Sequence, residues 1–162
     1  MRFFMIDRIT TWEVGRLGEG MAEAVKNVAL SEDFFDDHFP RRPIMPGVLM
    51  IEGMAQLAGL LVEATLKEKH NQDAKALLTV LERTKFREPV RPGDTLHYRT
   101  EIVSVNRDGG KVTAQATCNG RIVVTTGMVF AFKQVDDPQL AEKRASLMKV
   151  WMAPLTTTRS TP

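Results

Sequence analysis

A histidine and a glutamate are the residues of this chain best suited to chemistry. His38 lies in a proline-rich stretch, residues 38–43, and Glu52 follows 14 residues later in an apolar run, residues 47–62. A charged carboxylate among apolar side chains costs several kcal/mol unless it is paired or neutral, so Glu52 indicates chemistry rather than packing. A neutral imidazole can accept a proton and a carboxyl group shielded from water can deliver one. The pair is therefore suited to general acid–base chemistry.

Composition restricts the class of protein. The 162 residues, 43% hydrophobic and 26% charged, suit one globular domain. The net charge of +2 is too small to predict nucleic-acid binding without a clustered basic patch. The single cysteine, Cys118, cannot form an intramolecular disulfide, and the N-terminus lacks a signal-peptide pattern. We therefore expect a cytoplasmic protein.

A long central helix must carry Glu52. Pro46 and Gly47 begin this helix, which is predicted to extend to about Lys69. Its first turns are apolar nearly all round and contain several small residues, as expected for a helix enclosed by a sheet. The apolar run of 16 residues is shorter than the ~20 needed to span a bilayer. The pattern predicts a buried helix rather than a membrane span.

The remaining sequence predicts strands and a second helix. Asp108-Gly109-Gly110 and Asn119-Gly120 are tight-turn signals, so the last three strands form an antiparallel meander. The fold class is α+β, with an antiparallel sheet of five to six strands around the central helix and a short C-terminal helix. Residues 1–135 form the main domain, 136–154 a helical extension and 155–162 a disordered tail. The predicted strands are 10–12, 21–30, 76–86, 95–106, 111–118 and 121–133.

Four blocks of sequence resemble, in order, the (3R)-hydroxyacyl-acyl-carrier-protein dehydratases of bacterial fatty-acid synthesis, the FabZ-like group of the hotdog fold. The spacing between His38 and Glu52 matches as well. The resemblance implies a hotdog fold and a lyase that eliminates water from 3-hydroxyacyl thioesters. The sequence has no phosphate-binding loop, and its three histidines and one cysteine lack metal-ligand spacing, so we expect no cofactor and no metal. The blocks are Met5-Ile6-Asp7-Arg8-Ile9, Ala24-Val25-Lys26-Asn27-Val28, residues 34–56, and Lys85-Phe86-Arg87-Glu88-Pro89-Val90-Arg91-Pro92-Gly93-Asp94.

The resemblance also implies roles for individual residues. His38 and Glu52 are the catalytic pair, with His38 as the base that removes the C2 proton. Gly47 supplies a backbone N–H to the thioester carbonyl, and Gln56 supports the site. The family's site lies across a dimer interface, with the histidine from one subunit and the acid from the other. Either Glu52 or His38 could protonate the leaving hydroxyl, and the sequence leaves this open.

Partners follow from the same resemblance. The substrate is expected on an acyl carrier protein, and the chain is expected to form a homodimer or a trimer of such dimers. An acidic carrier with a phosphopantetheine phosphate would be attracted by basic residues, although a solvated charged loop is an equal explanation. The candidate docking residues are Arg41, Arg42, Arg87 and Arg91.

The sequence also departs from the family pattern. Gly53 stands where alanine is common, and the extension from about Asp136 is longer than in a typical member. Two other functions remain open at this point: a hotdog thioesterase, in which the carboxylate would activate water, and a non-catalytic acyl-binding module.

Overall fold

A six-stranded antiparallel sheet packs around one long helix in this computed structural model, which describes residues 3–15 and 19–157. The strand order is β1-β2-β4-β5-β6-β3, so β1 and β3 are the edges. The predicted α+β hotdog architecture is confirmed. The elements are β1 (Arg8–Val14), β2 (Gly20–Asn27), a 3₁₀ turn (Asp33–Phe35), α1 (Gly47–His70), β3 (Lys75–Phe86), β4 (Thr95–Val105), β5 (Gly109–Cys118), β6 (Arg121–Lys133) and α2 (Pro138–Thr157).

Helix α1 is the core of the fold. Pro46 is its N-cap, so the helix begins at Gly47, one residue later than the first position predicted for Pro46. It ends at His70, and the C-cap residue Asn71 adopts a left-handed conformation (φ 49°) and donates its backbone N–H to Lys67 O at 2.9 Å. With 24 residues α1 is long and apolar enough to cross a bilayer, but most of that length is buried inside this domain. Its apolar character is explained by the sheet that encloses it.

The sheet covers α1 with one face and leaves the other face polar. On β4, Leu96 and Tyr98 are buried whereas His97 and Glu101 are exposed, as expected for a strand with one covered face. Strands β4, β5 and β6 form the predicted meander. The turn between β5 and β6 has positive φ at Asn119 and Gly120, which the short hairpin requires.

Helix α2 packs against β1. Asp137 caps its start, because its Oδ1 accepts hydrogen bonds from the backbone N–H groups of Gln139 (3.0 Å) and Leu140 (3.1 Å). The predicted helix end at residue 154 is wrong: α2 runs to Thr157, and Leu155 packs against the core instead of starting a tail. The rest of the predicted tail, residues 158–162, lies outside the described residues.

Candidate active site

The imidazole of His38 is held in one orientation by its own loop. Its Nδ1 lies 2.7 Å from Ile44 O. Because a carbonyl oxygen can only accept, Nδ1 carries the hydrogen and the lone pair is on Nε2. Two backbone hydrogen bonds also hold His38 in the loop: His38 N donates to Phe34 O (3.0 Å), and Ile44 N donates to His38 O (3.0 Å). His38 therefore presents a basic nitrogen from a fixed ring.

The loop that carries His38 is anchored to the other blocks that resemble the dehydratases. Met45 N donates to Val90 O at 2.8 Å, which ties the end of the loop to residues 85–94. At its start, the buried ammonium of Lys26 lies 2.7 Å from Glu32 Oε1 and 3.4 Å from Asp7 Oδ1. A buried cation is stable only when it is paired, so this contact fixes the chain that leads into the loop. Residues of three matching blocks, Asp7, Lys26 and Val90, thus help to hold the two ends of the loop that carries His38.

A cavity of about 440 Å³ lies between His38 and the start of α1. Both His38 and Gly47 line this cavity. A Cβ atom at Gly47 would lie 2.6 Å from Phe86 Cε1, so this position must be glycine for the Phe86 ring to pack on the helix start. The N–H of Gly47 has no intrahelical acceptor because of its position in the first turn. Other lining residues include Ile44, Met45, Val48, Met50, Arg87 and Glu88.

Glu52 lies half-buried on α1, within a second group of polar contacts. Gln56 Nε2 donates to Glu52 Oε1 at 3.0 Å and to Phe3 O at 2.7 Å, and Gln56 Oε1 accepts from Met5 N at 3.1 Å. These contacts fix which end of the Gln56 amide is the donor. One oxygen of Glu52 is therefore engaged as an acceptor, and Oε2 is left to hold or exchange a proton.

The two halves of the candidate site are separate within one chain. Glu52 and Gln56 do not line the cavity that contains His38 and Gly47. No hydrogen bond joins His38 to Glu52 in the part of the chain that the structure describes. A single subunit therefore has a base beside the cavity at the start of α1, and an acid farther along α1 that does not line this cavity.

The four arginines predicted for docking are all exposed, and Arg87 is the one that lines the cavity. Within residues 3–15 and 19–157, none of the four forms an ion pair. Sequence reasoning missed Phe86 in the cavity wall and the backbone of residues 3–5 beside Gln56. Phe86 lies in residues 85–94, one of the four blocks that resemble the dehydratases, and this was a signal that it lines the site. The backbone contacts of Gln56 carry no signal in the sequence.

Comparisons with known proteins bear on the family of this chain. The family model for the FabA-like domain matches residues 1–127. A 3-hydroxyacyl-[acyl-carrier-protein] dehydratase FabZ of Thioalkalivibrio sulfidiphilus is 38% identical over 137 residues, which cover 83% of this chain and 89% of that protein. A protein of the same name from Halalkalibacterium halodurans is 38% identical over 131 residues, covering 81% and 89%.

Solved structures resemble the fold at lower sequence identity. A chain of the dehydratase heterocomplex ApeI:P from Xenorhabdus doucetiae superposes with a TM-score of 0.62 at 16% identity, covering 82% of this chain and 84% of that one. The putative thioesterase yhdA from Lactococcus lactis gives 0.61 at 13% identity, covering 80% and 95%. Both likenesses concern the fold alone. From the extent of the family model and the identity of the curated relatives, we conclude that this chain belongs to the FabA-like family.

Proposed function

We propose that this protein is a cytoplasmic 3-hydroxyacyl-[acyl-carrier-protein] dehydratase of fatty-acid biosynthesis. It converts a (3R)-3-hydroxyacyl thioester into the trans-2-enoyl thioester and water. The observation that carries the proposal is the orientation of His38. Its Nδ1–H bonds to Ile44 O, so the basic Nε2 is available beside a cavity that also contains the start of α1.

His38 acts as the base. It takes the proton from C2, the electrons of that bond form the C2–C3 double bond, and the C3 hydroxyl leaves with a proton from Glu52 as water. Before the next turnover the imidazolium of His38 gives up this proton to solvent and the Glu52 carboxylate takes one up, so no net proton is gained or lost by the enzyme. Negative charge that develops on the thioester oxygen is stabilised by the N–H of Gly47 and by the positive end of the α1 dipole.

The acid comes from a second copy of the chain. Strand β3 is an edge strand, and four apolar residues within five successive positions on it are exposed, between 38% and 49%. A long apolar edge is a template for another strand, and a two-fold axis would pair β3 with its own copy in antiparallel fashion. Glu52 of the other subunit then completes the cavity beside His38. The exposed positions are Leu77, Leu78, Val80 and Leu81.

The thioester arrives on an acyl carrier protein. Arg41, Arg42, Arg87 and Arg91 are exposed around the loop and the cavity, and none is neutralised by a described carboxylate. Unpaired guanidinium groups bind phosphate and attract an acidic surface from a distance. This arrangement would guide the phosphopantetheine arm of the carrier toward the cavity mouth.

A turnover assay on carrier-bound (3R)-3-hydroxyacyl substrate tests the proposal. A dehydratase produces the conjugated enoyl thioester, which is detected by its ultraviolet absorbance and by the loss of one water in the mass of the carrier. Release of free carrier thiol would instead identify a thioesterase. Binding without either product would identify an acyl-binding module, and both of these results would contradict the proposal.

A further inference from the structure

Helix α2 covers the N-terminal segment, residues 3–6, which precedes β1. Trp151 on α2 is 6% exposed, and its Nε1–H donates to Ile6 O at 3.0 Å. The Phe4 ring meets the same indole edge-on, with the ring centroids 6.0 Å apart. Together these contacts clamp the segment from one side.

The other side of the same segment holds the candidate acid in place. Phe3 O and Met5 N are the two backbone groups that bond the Gln56 amide, and Gln56 in turn donates to Glu52. Within the described ranges, these bonds and the one from Trp151 are the hydrogen bonds that tie residues 3–6 to the domain. The side chains of Met5 and Ile6 are also buried, so we expect the loss of one of these bonds to loosen the backbone of residues 3–6 locally without releasing the segment.

Helix α2 is itself anchored at a distance from this segment. Arg144 lies 3.0 Å from Glu63 Oε2 near the far end of α1, and Leu147 packs against the core. The side chain of Glu63 is 14% exposed and also accepts from Ala76 N at 2.7 Å, so the carboxylate that anchors α2 is itself held in place. The family model ends at residue 127, so α2 lies beyond the part of the chain that the FabA-like family model describes.

We propose that α2 positions the acid of this enzyme, with Trp151 acting on Glu52 through residues 3–6 and Gln56. The proposal rests on the proposed function for the role of Glu52. Trp151 is a positioning residue because it touches neither the cavity nor Glu52. The relay runs from the indole N–H to Ile6, along the backbone to Met5 and Phe3, and through the Gln56 amide to the carboxylate.

Trp151→Phe tests the relay because it keeps an aromatic ring and removes the N–H donor. We expect kcat to fall about fivefold with KM unchanged, the effect of one lost hydrogen bond of about 1 kcal/mol. In a Gln56→Ala background the same substitution should have no further effect on kcat. Val150→Ala is the matched control on α2, since Val150 is 67% exposed, and it should match the wild type. Multiplicative effects of the two substitutions would overturn the proposal.

A second measurement separates this proposal from the proposed function. Amide hydrogen exchange of Met5, whose N–H bonds Gln56, should accelerate about fivefold in Trp151→Phe while β5 amides stay protected. If Trp151→Phe folds poorly, Phe4→Leu is the second variant. It removes the ring contact with Trp151 at a residue that is 45% exposed, and it should likewise accelerate the amide exchange of Met5. Unchanged Met5 exchange in the folded variants would refute the relay even if the wild type is an active dehydratase. Absence of dehydration by the wild type, with Met5 exchange altered, would refute only the assigned reaction.

Discussion

Gly53 on α1 and Tyr98 on β4 approach so closely that a Cβ atom at Gly53 would lie 2.5 Å from Tyr98 Oη. Tyr98 is 1% exposed, and its hydroxyl finds no hydrogen-bond partner among the described residues. The glycine that follows Glu52 is thus explained by the tyrosine ring that occupies the space of its side chain. The contact sets the distance between the sheet and the turn of α1 that carries the acid.

Gly53→Ala should destabilise the protein. The added methyl group would overlap the Tyr98 ring, and overpacking of this kind costs about 1 to 3 kcal/mol in the free energy of unfolding. Gly59→Ala on the same helix is the control, because its nearest neighbour would be Phe130 Cε1 at 3.7 Å, an ordinary contact. There the gain in helix propensity should stabilise by about 0.5 to 1 kcal/mol. Urea unfolding of both variants checks the pair, and equal effects would contradict the packing argument.

Tyr98→Phe should stabilise the protein most at alkaline pH. Burial, with a smaller contribution from the Asp7 carboxylate, raises the pKa of Tyr98 well above its usual value. The unfolded chain loses this proton above about pH 10 while the folded chain keeps it, so stability falls by about 1.4 kcal/mol per further pH unit. The phenylalanine variant lacks this loss. The check is the free energy of unfolding of both proteins at about pH 9 and about pH 11. The stability difference between variant and wild type should be constant below the pKa of the unfolded tyrosine and should grow above it.

Tyr98 is the single tyrosine of the chain, so ultraviolet absorbance during an alkaline titration reports it directly. Its ionisation should coincide with unfolding. A tyrosine that titrates normally in the folded protein would show that the hydroxyl reaches solvent and would remove the basis of this prediction.

The sequence predicts the elements well where the signals are local. Helix α1 was placed within one residue at each end because Pro46 and Gly47 mark its start and polar residues mark its exit. The hairpins followed from Asp108-Gly109-Gly110 and Asn119-Gly120, whose turns admit few other arrangements.

The sequence could not show what depends on distant contacts. The position of β3 at the edge beside β6 results from pairing across about fifty residues, which no local pattern encodes. Likewise, Gln56 bonds a backbone oxygen and a backbone N–H of residues 3–5, and such contacts leave no trace in side-chain types. Leu155 shows the same limit, since its apolar neighbours lie elsewhere in the chain.

His38→Ala and Glu52→Gln should each lower kcat by at least ~100-fold, the low end of the usual range for acid–base groups, without loss of the fold. Near-normal rates in either variant would contradict the assigned mechanism. Asp73→Asn, at an exposed carboxylate in the loop after α1, is the control for loss of a surface charge and should leave kcat unchanged.

Subunits of the two inactive variants should complement each other when they are refolded together. A mixed dimer pairs His38 of one chain with Glu52 of the other at one of its sites, and its second site carries both substitutions. Random association should therefore restore about one quarter of the wild-type activity, since half of the dimers are mixed and each has one intact site. Activity that stays at the level of the separate variants would place both residues in the same subunit.

Leu81→Glu should weaken the dimer and the activity together. Leu81 pairs with Met128 of β6, so it lies on the face of the sheet that covers α1, yet it is 44% exposed in the single chain. A carboxylate at the subunit interface would be desolvated without a partner. Sedimentation velocity should show monomer at concentrations where the wild type is dimeric. Val103→Glu, at an exposed apolar residue of β4, is the matched control and should remain dimeric.

Arg42→Glu should impair capture of the carrier rather than the chemistry. Arg42 is exposed in the loop that carries His38 and has no ion-pair partner within the described residues, so its charge acts at long range. We expect kcat/KM for carrier-bound substrate to fall about tenfold relative to kcat/KM for a small thioester, with a weaker dependence on salt. Arg107→Glu, at the exposed turn between β4 and β5, carries the same change of charge away from the loop and should preserve the ratio. An equal loss on both substrates would assign Arg42 to the cavity instead of the carrier surface.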